Sequence, residues 1–231
     1  MEWSRLITDD VWKLKLGNFL NQNYDKIIEG VIKTKTADLS ILPEKKNLFN
    51  AFNITSFYEV RVVILGLDPY PNKVNGKAVA DGLAFSYNDD SGYVPPSLNN
   101  IFKEIRETVY NNQDIHDEFY NTNLKRWALQ GVLLLNTALT VLEGNSTSHL
   151  KHWEKFTIEV LSNLNTQTGI VYILLGNKAQ EFRKYINEIN NYVLIAGHPS
   201  PLNTKGTFFG SRIFKKCNDI LINLYGKGIL W

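Results

Sequence analysis

Four short, unbroken apolar runs, at residues 61–65, 132–135, 170–175 and 192–196, limit what this chain can become. They do not alternate in polarity, so the strands they predict are buried on both faces, as a parallel sheet covered by helices requires. Segments of helical spacing lie between and beyond them. Leu98, Ile101, Phe102, Ile105 and Val109 come after Ser97, a natural N-cap, and Ile213, Cys217, Ile220, Leu221 and Leu224 repeat the pattern near the end. Strand and helix in alternation predict an α/β protein: a three-layer α/β/α sandwich around a central four-stranded, mainly parallel sheet. With no internal repeat or linker, residues 1–231 read as one domain in which residues 1–55 form a mainly helical cap on the same core.

The residues directly after each run are chemically richer than the runs themselves. The first run leads into Gly66-Leu67-Asp68-Pro69-Tyr70-Pro71, the second into Asn136-Thr137, the third into Gly176-Asn177 and the fourth into Gly197-His198-Pro199-Ser200-Pro201-Leu202. The carboxyl ends of the strands in an open parallel sheet converge on one crevice, so Asp68, Tyr70, Asn136 and His198 are expected to meet there. Each has a plainer reading in isolation: Asp68 as a turn residue before proline, Asn136 as a turn cap, His198 as a bonded core ring, Phe85 as core. Their joint placement is what points to chemistry.

Composition narrows the classes. A single cysteine, Cys217, allows no internal disulfide, thiolate zinc site or cysteine-held cluster, and fits a reducing compartment. The start lacks the basic and apolar pattern of a secretory signal, and no stretch approaches a membrane span. A net charge of +2 makes any nucleic-acid surface a local patch. The candidates are Lys73 with Lys77, and Lys205, Arg212, Lys215 and Lys216, which could equally be solvated faces. Neither G-x-G-x-x-G nor G-x-x-x-x-G-K-[ST] occurs, and no nucleophile elbow does either. His149 and His152 have no further ligand at metal-binding spacing, so no metal is assigned.

The ordered motifs resemble family 1 uracil-DNA glycosylases over most of the chain. They are Val62-Val63-Ile64-Leu65-Gly66-Leu67-Asp68-Pro69-Tyr70, Asp81-Gly82-Leu83-Ala84-Phe85-Ser86, Pro95-Pro96-Ser97-Leu98, the stretch from Trp127 through Asn136 to Val141, Ser148-His149 with Trp153-Glu154, and His198-Pro199-Ser200-Pro201-Leu202 with Phe208-Phe209-Gly210. The family's water-activating motif usually has glutamine before the aspartate and histidine after the tyrosine; Leu67 and Pro71 stand there, as in poxviral glycosylases. Leu175 stands where the family usually has tryptophan, and Asn177 where it has serine. These departures bear on DNA-backbone contacts and rate more than on base identity.

The resemblance implies a monofunctional enzyme that flips uracil out of DNA and hydrolyses its N-glycosidic bond without metal or other cofactor, initiating base excision repair. It implies Asp68 and His198 as catalytic residues and a uracil pocket of Leu67, Tyr70, Phe85 and Asn136. It gives DNA contacts to Pro95, Pro96, Ser97, Gly176, Asn177, Ser200 and Leu202, with Leu202 as the wedge that fills the vacated stack. The expected partners are uracil-containing single- or double-stranded DNA and DNA-mimicking protein inhibitors. No membrane is involved, the enzyme is expected to be a monomer, and it would work in the cytoplasm, or in a nuclear or host-cell compartment if the source is eukaryotic or viral. The rival reading is a catalytically weak DNA-binding or processivity component, motivated by Leu67 and Pro71; formation of abasic sites separates the two.

Overall fold

The four apolar runs form strands β1 (Val62–Gly66), β2 (Val132–Asn136), β3 (Val171–Leu175) and β4 (Tyr192–Ala196). They make one sheet in the order β2-β1-β3-β4, and every pairing is parallel. This computed structural model describes residues 2–88, 92–113, 117–203 and 206–231; Lys205 of the basic candidates lies outside them. Strands β1, β2 and β3 are buried along their whole length, so both faces of the sheet are covered. The last strand departs from the expectation of burial on both faces. Tyr192 and Ile195 are exposed, whereas β2, at the opposite edge of the sheet, is buried throughout, so the layers of helices cover β4 less completely than the other three strands.

Two sets of helices provide the cover. Helix α1 (Asp10–Ile32) is capped by Asp9, whose Oδ1 accepts the Trp12 N–H at 2.7 Å. Its buried stripe of Trp12, Leu16, Leu20, Tyr24, Ile27 and Val31 packs on helix α3 (Leu150–Leu164), which buries Trp153, Phe156, Thr157, Val160, Leu161 and Leu164. Trp12, Phe49, Phe52, Phe57, Trp153 and Phe156 form an edge-to-face network in this layer. The second set pairs helix α2 (Pro96–Thr108) with helix α4 (Ile213–Tyr225), and α4 also packs on β3 and β4. A second aromatic group, in which Phe102, Trp127, Trp231 and Phe214 touch in succession, belongs to this layer. Buried apolar residues from Trp3 to Trp231 join in one cluster.

Helix α2 begins two positions earlier than expected. Pro95 takes the N-cap position and Pro96 the first helical position, which places Ser97 inside the first turn rather than at the cap. The fixed φ of proline suits that first position, where its missing N–H costs nothing. Farther along α2, Glu104 is fully buried and accepts the N–H groups of Gly210 and Arg212, both at 2.8 Å. That clamp fixes the turn that launches α4. Among the described residues no helix is long and apolar enough to cross a membrane.

Candidate active site

The carboxyl ends of β1 and β2 lie side by side, and their register sets Gly66 opposite Asn136. A methyl at Gly66 would collide with Asn136 Oδ1 and come within 2.8 Å of Ala84 Cβ, so only glycine leaves the Asn136 amide its place. Asn136 is 3% exposed, and its side chain has no hydrogen-bond partner among the described residues. It lines a cleft of about 200 Å³ together with Leu67, Asp68, Tyr70, Phe85, Ser97 and His198. A buried amide with unused donor and acceptor is costly unless a ligand completes it.

The loop that carries Phe85 is held from inside. Asp81 accepts the Ser86 hydroxyl at 2.6 Å and the Leu83 N–H at 3.0 Å, and Ala84 N–H donates to Leu134 O on β2 at 3.0 Å. Within this frame Phe85 adopts φ +63°, a left-handed conformation that an aromatic residue takes only under outside constraint. Its ring centroid lies 6.3 Å from that of His198, and both rings line the cleft. Tyr70 packs edge-on against Tyr87 at 5.3 Å. Its hydroxyl is buried without a partner among the described residues, and burial pushes its pKa up, so the phenol stays protonated.

Asp68 is gripped from a distant part of the chain. Ser146 Oγ–H lies 2.9 and 3.1 Å from its two oxygens, and Thr147 N–H donates to Oδ2 at 2.5 Å. Burial raises the Asp68 pKa above the usual carboxylate value, and the Thr147 N–H and Ser146 hydroxyl pull the other way. Thr147 itself sits at φ +70°, a strained setting for a β-branched residue. The turn is pinned by Gly144 N–H to Pro71 O at 2.7 Å and by Leu142 N–H to Ser148 Oγ at 2.8 Å.

Behind the turn, His149 is fully buried at the N-cap of α3. Trp153 Nε1–H donates to Thr140 Oγ1 at 2.7 Å, leaving the Thr140 hydroxyl to donate to His149 Nδ1 at 3.0 Å. Thr34 gives its own proton to Val31 O, so the contact between His149 Nε2 and Thr34 Oγ1 at 2.7 Å has the ring donating. Burial together with His152 lowers the His149 pKa to about 4 against the opposing pull of the Thr140 carbonyl, so the ring is neutral near pH 7. The pair His149–His152 is thus a packing device, and among the described residues no group of three His, Cys, Asp or Glu is placed to hold a metal ion.

His198 lies just past β4. Its Nδ1 accepts the Ser200 N–H at 3.0 Å, which puts the ring proton on Nε2, and burial lowers its pKa below the ordinary histidine value. Asn203 Nδ2–H reaches His198 O at 2.9 Å and Asn100 Nδ2–H on α2 reaches Pro199 O at 2.7 Å, so the loop is braced on two sides. At its tip Leu202 is 89% exposed. A second, adjoining cleft is lined by Gly176, Asn177, Ser200 and Leu202, and shares Leu67 and His198 with the first. Gly176 has φ +85°, and a Cβ there would press on His198 Cβ at 2.8 Å.

The sequence-derived residues therefore gather at two joined clefts, with two exceptions: Pro95 and Pro96 line neither, and Pro95 is buried at the helix cap. The basic candidates fare less well. Lys73 is engaged by Glu143 at 2.9 Å and Ser40 Oγ at 2.6 Å, and Lys215 by Asp219 at 2.8 Å. Sequence reasoning missed Ser146, Thr147, Asn100 and Asn203. The one signal for the first two was a run of small polar residues, Gly144-Asn145-Ser146-Thr147, directly before the Ser148-His149 motif.

The uracil DNA glycosylase superfamily matches residues 52–222. The uracil-DNA glycosylase of Borreliella burgdorferi (strain ZS7) is 41% identical over 217 residues, covering 92% of this chain and 93% of that protein. That of Acinetobacter baumannii (strain SDF) is 42% identical over 222 residues, covering 94% and 90%. Among solved structures, mimivirus uracil-DNA glycosylase aligns with a TM-score of 0.86 at 25% identity, covering 99% of this chain and 88% of that one. A mimivirus variant in complex with UGI aligns at 0.87 with 24% identity, covering 99% and 90%.

Proposed function

From the premise that this chain belongs to the uracil-DNA glycosylase superfamily, we infer that it hydrolyses the N-glycosidic bond of uracil in DNA, leaving free uracil and an abasic site, and so initiates base excision repair. The observation that carries the reading is the unpartnered Asn136 amide buried in a ring-sized cleft with Asp68, Phe85 and His198.

A base within a duplex is out of reach, so the nucleotide rotates into the cleft at a cost of a few kcal/mol in stacking and pairing. Leu202, exposed at the tip of a braced loop, is suited to fill the gap left behind. Pro95, Pro96, Ser97, Gly176, Asn177 and Ser200 would then contact the bent backbone through small side chains and main-chain N–H groups. Inside, the Asn136 amide accepts from uracil N3–H and donates to O4. Cytosine reverses that pattern and strands both groups. Phe85 stacks on the ring, and the Tyr70 ring fills the space of a C5 methyl, which excludes thymine.

Bond cleavage leaves positive charge on the sugar and negative charge on the base. Asp68 faces the cation, orients the attacking water and takes its proton; burial makes it a better base than an exposed carboxylate. His198 Nε2–H donates to uracil O2 as charge grows there, so uracil departs as an anion and takes its proton from solvent. A neutral imidazole suits this role, because the donor remains hydrogen-bonded to the anion without surrendering its proton.

Protein inhibitors that mimic DNA would occupy the same face, a reading supported by the fold match to a mimivirus variant bound to UGI. The enzyme is proposed to act as a monomer in a reducing compartment, the latter consistent with its one buried cysteine. The deciding experiment is release of free uracil from a labelled single-stranded oligonucleotide in EDTA, beside Asp68→Asn. Release that the variant loses while still binding uracil-DNA is the expected outcome; tight DNA binding with no release by the wild type would leave a scaffold instead.

A further inference from the structure

We propose that Ser146 is a positioning residue for the hydrolytic step: its hydroxyl locks the Asp68 carboxylate against the Ser146–Thr147 turn and so aims the free lone pairs at the attacking water. This rests on the reading of Asp68 as the group that handles that water.

A carboxylate on a short stem turns about its last bond, and a base that turns presents its lone pairs in the required direction only part of the time. The side chains beside Asp68 in the chain offer no restraint, since Leu67 and Pro69 have no hydrogen-bonding side-chain group. The restraint comes instead from 78 residues away, where Ser146 Oγ–H lies within 3.1 Å of both oxygens and Thr147 N–H holds Oδ2. Among the described residues, Ser146 supplies the side-chain hydrogen bond to Asp68. The clamp uses part of the roughly four acceptor positions of a carboxylate and leaves the rest to water. In the step itself the water proton passes to Asp68 and Ser146 keeps its own.

The turn is rigid enough to act as a stop. Gly144 is tied to Pro71, Ser148 to Leu142, and His149 to Thr140 and Thr34. Ser146 is exposed, lines the same cleft and bonds to no other described residue, so its hydroxyl contributes little to folding. The other ionisable groups of the cleft are Tyr70, protonated, and His198, neutral; the Lys73–Glu143 ion pair flanks it and His149 lies behind it. Removing the Ser146 hydroxyl takes away one influence that lowers the Asp68 pKa, so the acidic limb of the turnover profile must move to higher pH.

The test is steady-state release of free uracil from single-stranded oligonucleotide, as a function of pH, by the full chain and its Ser146→Ala, Ser146→Thr and Asp68→Asn variants. Ser146→Ala is expected to lose about 10-fold in kcat with KM nearly unchanged and an acidic limb raised by about half a pH unit or more, with Ser146→Thr restoring most of both. Wild-type kcat and limb in Ser146→Ala, with Asp68→Asn inactive, would overturn the proposal and leave the role of Asp68 standing. So would a loss unrelieved by threonine and accompanied by a lower melting temperature. If Asp68→Asn itself turns over normally, the reading of Asp68 falls and this proposal with it.

Discussion

The uracil-reading role proposed for Asn136 requires that Gly66, across the strand pair, has no side chain. Gly66→Ala would drive a methyl into Asn136 Oδ1, and its packing cost of roughly 1–3 kcal/mol falls on the amide proposed to meet the base. Calorimetry should therefore show a modestly destabilised protein, while uracil release drops far more steeply than stability. Substitutions in the pocket separate by chemistry. Asn136→Asp, which can present a protonated oxygen to cytosine N3, should begin to liberate cytosine, and Tyr70→Ala should begin to liberate thymine, both read by mass spectrometry of the free bases. If active variants release neither, the pocket assignments are wrong. Residues of this kind were legible in the sequence because they come directly after strand-forming runs. Ser146 and Thr147 were not, since their bond to Asp68 joins segments 78 and 79 residues apart and depends on a positive φ at a threonine, which no local pattern announces.

Elements transmit what residues begin. The chain of hydrogen bonds from Trp153 through Thr140, His149 and Thr34 to Val31 ties the start of α3 to the end of α1 around a buried, neutral ring. The unfolded chain takes up a proton on His149 near pH 6.5, whereas the folded one resists until about pH 4. The His149 contribution to folding stability is therefore fully present above pH 6.5 and declines as pH falls through that window. Melting temperatures tracked from pH 7 to pH 4 should show this decline, and His149→Gln should flatten it from a lower starting value; an unchanged slope in the variant would remove His149 as its source. At this scale the four strands and the helices α2 and α4 were predictable from periodicity. The start of α2 was misjudged by two positions because Pro96 suits the first helical site and so moves the cap back to Pro95. The exposure of β4 was unreadable, because an apolar run does not say how completely other elements will cover the strand it forms.

The whole molecule brings the proposed DNA face and the core into one body. We propose that its 231 residues unfold as a unit, the N-terminal cap included, since one apolar cluster runs from Trp3 to Trp231. Coincident calorimetric and van't Hoff enthalpies would agree with this, and a separate early transition would not. Leu202 stands outside that core. Leu202→Ala should leave stability within about 0.5 kcal/mol. It should depress uracil release from duplex DNA by about ten-fold or more, and less from single strands, where no vacated stack needs filling. Equal losses on both substrates would deny it the wedge role.

The placement of the indole rings carries a practical consequence. All five tryptophans, Trp3, Trp12, Trp127, Trp153 and Trp231, are buried, and none lines either cleft. Excited at the red edge of their absorption, they should emit at short wavelength, resist quenching by acrylamide and shift only when the core melts. The same light should pass over an arriving oligonucleotide almost unchanged. A fluorophore meant to watch the base being drawn in has to be written into the protein at its exposed loop, with Leu202→Trp the obvious place.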